Sequence, residues 1–121
     1  MEIPFEEITL GKQISEGGYG IIYMATWRKS TVAVKLFKID QENDNSIRDF
    51  ISECHAMEAL RHPNIVMFLG ACTKPPHFAI VLEYCEEGTL WSHLQKTSGD
   101  ISWEERRRLA LDVARGMNYL H

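Results

Sequence analysis

Through the first 40 residues apolar and polar positions alternate, with Ile8, Leu10 and Ile14 ahead of a glycine cluster, Ile22 and Met24 after it, and Val32, Val34 and Leu36 further on. A period of two is the mark of strands with one face toward a core. It predicts three antiparallel strands, joined by hairpins over residues 15–20 and 28–30. From residue 46 to 60 the period lengthens. Ile47, Phe50, Ile51, Cys54, Met57 and Leu60 recur at three and four residues, the stripe of an amphipathic helix. Pro63 disfavours helix at His62, so the stop is expected at Arg61-His62-Pro63-Asn64. Two apolar runs, 65–72 and 78–84, flank Thr73-Lys74-Pro75-Pro76-His77 and predict a further hairpin with the prolines in its turn.

From Thr89 the pattern is helical again, through Leu90, Trp91 and Leu94, and halts at Thr97-Ser98-Gly99-Asp100. Ser102, followed three residues later by Glu105, has the form of a capping box and opens a last helix. Leu109, Val113, Met117 and Leu120 line one of its faces, widened by Leu111 and Tyr119. The chain reaches His121 without a helix stop, so a truncated piece of a longer chain is the expectation.

Composition narrows the class. The chain has 121 residues, 45% hydrophobic and 25% charged, which is one ordinary globular domain at most and excludes a disordered tail or a collagen-like chain. A formal charge of -4 gives no field for nucleic acid or anionic lipid. No apolar run approaches the roughly 20 residues of a bilayer span, so no membrane segment is expected. Cys54, Cys72 and Cys85 lack any C-x-x-C spacing and read as reduced thiols, with no metal site. A cytoplasmic protein, or the cytoplasmic side of a larger one, is the expectation. The run Arg106-Arg107-Arg108, preceded by Glu104 and Glu105, reads as a solvated helix face.

Four places could carry chemistry. In Ile14-Ser15-Glu16-Gly17-Gly18-Tyr19-Gly20 the glycines allow backbone N–H groups to approach a phosphate closely. They precede a strand, which excludes a dinucleotide fingerprint, and no Gly-Lys-Ser/Thr follows, which excludes a Walker loop. In Val32-Ala33-Val34-Lys35, Ala33 and Lys35 share a face, which suits a flat ring joined to phosphates. An ammonium on a half-buried face calls for a carboxylate. Glu53 and Glu58 both fall near the stripe of the helix, and periodicity does not choose between them. After the fifth strand, 80–88 passes from apolar strand to polar connection, where backbone groups are available to a heterocycle.

In order and together, these pieces resemble the ATP-binding lobe of a eukaryotic protein kinase over essentially the whole chain. Trp27 before Val32-Ala33-Val34-Lys35, and Phe68-Leu69-Gly70-Ala71-Cys72, look most like the tyrosine-kinase-like group that includes Raf and mixed-lineage kinases. The resemblance implies an α+β fold: a five-stranded antiparallel sheet with a packed helix over residues 1–88, hinge included, then the first two helices of a larger lobe over 89–121. It implies that Gly17, Gly18 and Gly20 cover the phosphates, that Ile22 and Ala33 sandwich adenine, and that Ile14 joins them. Lys35 would hold the phosphates and pair with Glu53, which the family pattern selects over Glu58. Leu82 matches the gatekeeper, and Glu83 and Cys85 match the hinge positions. Met57 and Phe68 match hydrophobic spine positions. Ser15 departs from the first glycine of the family's loop.

ATP and a protein substrate are the implied partners, with serine or threonine hydroxyls as acceptors, or tyrosine as well if the specificity is dual. The Mg2+ ligands and the catalytic carboxylates are expected beyond residue 121, so this chain alone is expected to be inactive. Its helices, uncovered, are expected to associate through Leu109, Val113, Met117 and Leu120. A pseudokinase or scaffold that binds nucleotide without transfer is the rival reading.

Overall fold

The computed structural model describes residues 2–17, 20–39, 43–96 and 101–121, apart from the side chains of residues 44 and 91. They fall into two compact units, residues 1–61 with 66–84, and residues 62–65 with 85–121.

The first unit is α+β. Strands β1 (Ile8–Gly17), β2 (Gly20–Trp27), β3 (Ser30–Phe37), β4 (Phe68–Cys72) and β5 (Phe78–Glu83) form one antiparallel sheet in the order β1-β2-β3-β5-β4, and helix α1 spans Asp44–Glu58. The five strands and the helix are those the spacing predicts, with different limits. Both early hairpins are tighter. Gly17 pairs with Gly20, so the strands run into the glycine cluster, and Trp27 pairs with Ser30, leaving a two-residue turn. Arg28 and Lys29 in that turn have φ of 49° and 66°. These suit the right-handed twist of a hairpin, although neither is the Asn or Gly that usually signals such a turn. Arg28 is held from two sides, by Glu7 at 3.5 Å and over the Trp27 ring at 4.8 Å.

The helix ends earlier than predicted, with Ala59 as its cap and the Leu60 N–H donating to the Met57 carbonyl at 3.1 Å. Pro63 restricts only its immediate neighbour, so it marks a limit the helix does not reach. At the other end the Asn43 side chain accepts from the N–H groups of Asn45 and Ser46, at 3.0 and 3.4 Å.

Side-chain alternation gives the sheet two apolar faces. Val32, Val34, Ala25, Cys72, Ala79 and Val81 pack on one face with Ile3 and Ile8. On the other, Phe50 and Cys54 of α1 pack against Ala71, Phe78 and Ile80, with Met57, Phe68 and Leu82 at the margin. The segment before β1 crosses the first face as a strap. The Ile3 N–H donates to the Ala71 carbonyl of β4 at 2.8 Å, the Glu2 carboxylate accepts from the Thr73 N–H and hydroxyl, and Phe5 stacks on His77 with centroids 4.0 Å apart. The chain then enters β1 at the opposite edge of the sheet.

The second unit holds α2 (Leu90–Lys96) and α3 (Trp103–Leu120). Half of the expected capping box forms: the Ser102 hydroxyl accepts from the Glu105 N–H at 3.1 Å. The Glu105 carboxylate turns instead to His93, 3.0 Å away. Gly116 is buried where α3 meets the short segment 62–65, and a Cβ there would lie 2.8 Å from the Asn64 carbonyl oxygen. Leu111, Val113, Met117 and Leu120 are exposed, as expected, whereas Leu109 is half-buried. Among the described residues no helix is long and apolar enough to cross a membrane.

Candidate functional site

Register fixes which side chains share the face beneath α1. On β3, Ala33 lies between Met24 of β2 and Leu82 of β5, and Lys35 lies between Ile22 and Ile80. Directly opposed residues of an antiparallel ladder project to the same side, so Ile22, Met24, Ala33, Lys35, Ile80 and Leu82 form one surface. Ala33, the smallest of them, leaves a shallow apolar floor, and the next position along the strand supplies an ammonium. This is the grouping that the alternation of Ala33 with Lys35 predicts, extended sideways to strands whose partners the sequence left open.

Lys35 is half-buried, and its Nζ lies 5.0 Å from the centroid of the Phe37 ring. Among the described residues no ion pair joins it to Glu53. Glu53 is exposed on α1, beside the buried Cys54. Glu58, the other candidate, lies 3.8 Å from His55 on its own helix. Half-buried, Lys35 retains part of its hydration, which lessens the demand for a carboxylate at close range.

The glycine cluster divides in the same way. Gly17 has no atom within 4 Å of the place a Cβ would occupy, so space above it is open. At Gly20 a Cβ would lie 2.1 Å from the Leu36 carbonyl oxygen of β3. Its lack of a side chain is required by the neighbouring strand. Gly18 lies outside the described residues. Ile14 falls in an irregularity of β1, where Gln13 pairs with Tyr23 and Ser15 with Ile22, and it is 50% exposed. A bulge leaves such a residue without a partner across the ladder and re-aims its side chain.

At the end of β5, Leu82 is half-buried against the cluster that seats α1. The Glu83 N–H donates to the Met67 carbonyl at 3.0 Å, and a Glu83 carboxylate oxygen accepts from the Met67 N–H at 2.7 Å. The availability of backbone groups expected here is thereby reduced, since the Glu83 donor is already engaged. Nothing in the sequence pattern points to this exchange, because Met67 and Glu83 are 16 positions apart. Cys85 opens the second unit, is exposed, and its carbonyl accepts from the Gly88 N–H at 3.1 Å.

Burial pushes the thiols of Cys54 and Cys72 up to about 11, reinforced by the charges of Glu53 and Glu2 at Cys54 and of Glu2 and Glu6 at Cys72. Both remain protonated at neutral pH and are poor nucleophiles. No group of three His, Cys, Asp or Glu is placed to hold a metal ion among the described residues.

Residues 8–121 match the family model described as protein tyrosine and serine/threonine kinase. The chain is 44% identical to the probable serine/threonine-protein kinase SIS8 of Arabidopsis thaliana over 99% of its own length, and 42% identical to the serine/threonine-protein kinase CTR1 of the same organism over 100%. It is also 44% identical to the probable serine/threonine-protein kinase drkD of Dictyostelium discoideum over 99% of its length. It spans only 12%, 15% and 9% of those three proteins.

Proposed function

The chain belongs to the protein tyrosine and serine/threonine kinase family, and on that premise we propose that it supplies the ATP-binding lobe of an enzyme that transfers the γ-phosphate to serine or threonine hydroxyls of proteins. The observation that carries the reading is the surface on which Ala33 and Lys35 follow one another, bordered by Ile22 on one side and Leu82 on the other. Adenine lies on the apolar part of that surface, between Ile22 and Ala33. Leu82 limits its depth, and Lys35 meets the phosphates. Gly17 has room above it for a phosphate oxygen to approach the backbone.

Lys35 binds by charge and orients the phosphates as a compact donor. Glu53 becomes its partner when nucleotide and neighbouring protein exclude water from the ammonium, since only then does an ion pair outweigh hydration. Magnesium neutralises phosphate charge in such reactions. The described residues offer it no ligand cluster.

The test is a titration of the chain with a fluorescent ATP analogue and, separately, with adenosine. Lys35→Ala is expected to weaken the ATP analogue about tenfold or more and adenosine by less than about twofold, because only the former carries the charge that the ammonium meets. Equal loss for both ligands would overturn the role of Lys35. Absence of binding to either by the unaltered chain would overturn the adenine surface itself.

A further inference from the structure

Met67 and Glu83 exchange two hydrogen bonds, one of them from a backbone amide to a carboxylate at 2.7 Å. They do so next to the two points where the chain of the first unit breaks off: that unit resumes at Val66 and ends at Tyr84. Strand β4 starts only at Phe68, so Met67 lies outside the sheet, and Val66 and Met67 are both about half exposed. The exchange therefore ties this corner together outside the strand ladder. A bond to an ionised acceptor is about twice as strong as a neutral one, and it closes a ring with the backbone bond from Glu83 to Met67.

Glu83 also stands one residue beyond Leu82, opposite Val32 of β3. The backbone that borders the adenine surface therefore has its end fixed through a side chain. We propose that the Glu83 carboxylate is a positioning residue: by holding the Met67 amide it presets the path of the chain from Leu82 to Tyr84 and so raises nucleotide affinity. The proposal rests on the reading of Ile22, Ala33 and Leu82 as the adenine surface. Its physical basis is preorganisation, because a segment already held in its binding conformation loses less freedom when the ligand arrives.

The experiment compares the unaltered chain with Glu83→Ala and Glu83→Gln, measuring amide hydrogen exchange by NMR and adenosine affinity by titration. In Glu83→Ala the Met67 amide is expected to exchange about fivefold faster or more, with Ile80 and Val81 unchanged as evidence that the sheet is intact. Adenosine affinity is expected to fall about threefold to tenfold, and Glu83→Gln, which keeps an acceptor oxygen, to recover part of both effects. Unchanged exchange at Met67 would overturn the proposal. So would faster exchange with undiminished adenosine affinity, or a Glu83→Gln variant no better than Glu83→Ala in both measurements. If the unaltered chain binds no adenosine, the adenine surface fails and the proposal falls with it, an outcome distinct from those in which the unaltered chain binds.

Discussion

Gly20 and Gly17 look alike in the sequence, and the structure gives them different reasons to be glycine. A Cβ on Gly20 would meet the Leu36 carbonyl oxygen at 2.1 Å, and that oxygen belongs to a strand paired on both sides. Gly20→Ala is therefore expected to destabilise the chain by about 2 kcal/mol or more, read as a lower denaturant midpoint. Gly17→Ala should stay within about 0.5 kcal/mol of the unaltered chain, since no atom lies within 4 Å of where its Cβ would be, and should act on nucleotide binding alone. Comparable stability losses in the two variants would contradict this division. Residue type thus revealed a cluster permissive for close approach but not what approaches each member. Lys35 shows the same limit: alternation placed it on the face of Ala33, whereas its lack of an ion pair with Glu53 depends on how much water it keeps. Glu83 was legible as a backbone position only, because the reach of its side chain to Met67 depends on the fold.

At the scale of elements, the five strands and three α-helices of the described residues were legible from periodicity, and their ends were not. α1 stops at Glu58 although Pro63 is the first obligatory break, and β1 and β2 continue to Gly17 and Gly20 although glycines commonly open a turn. Local chemistry says where an element must stop, and packing decides where it does stop. α1 also carries a consequence for alkaline conditions. Its face buries Cys54 against the sheet, as the sheet's other face buries Cys72, and both thiols rise from 9.0 to about 11. Below pH 9 the folded and unfolded chains hold these protons equally. Between pH 9 and about 11 the folded chain retains protons that the unfolded chain has lost, so stability falls as pH rises through that window. The denaturant midpoint should decline there more steeply in the unaltered chain than in a Cys54→Ala, Cys72→Ala double variant. Parallel curves would show that the two thiols contribute nothing to the decline.

For the whole molecule, the order β1-β2-β3-β5-β4 places the beginning of the sequence at β4 and its first strand at the far edge, with the strap between. The sequence pattern gave no sign of the strap, since Ile3 and Phe5 precede any periodic run. Ile3 is 3% exposed, and Ile3→Ala is expected to lower stability by about 2–4 kcal/mol, measured by urea unfolding. A loss below about 0.5 kcal/mol would mean that the strap lies on the sheet without supporting it. Its backbone bond to Ala71 has a further effect. A strand at the margin of a sheet offers a row of N–H and C=O groups to any extended peptide, and β4 is such a margin. By occupying Ala71 and Thr73 from within the same chain, Ile3 and Glu2 interrupt that row. Loosening the strap would thus do more than remove apolar contacts: it would turn a guarded margin into a template on which other chains can add strands and begin to aggregate.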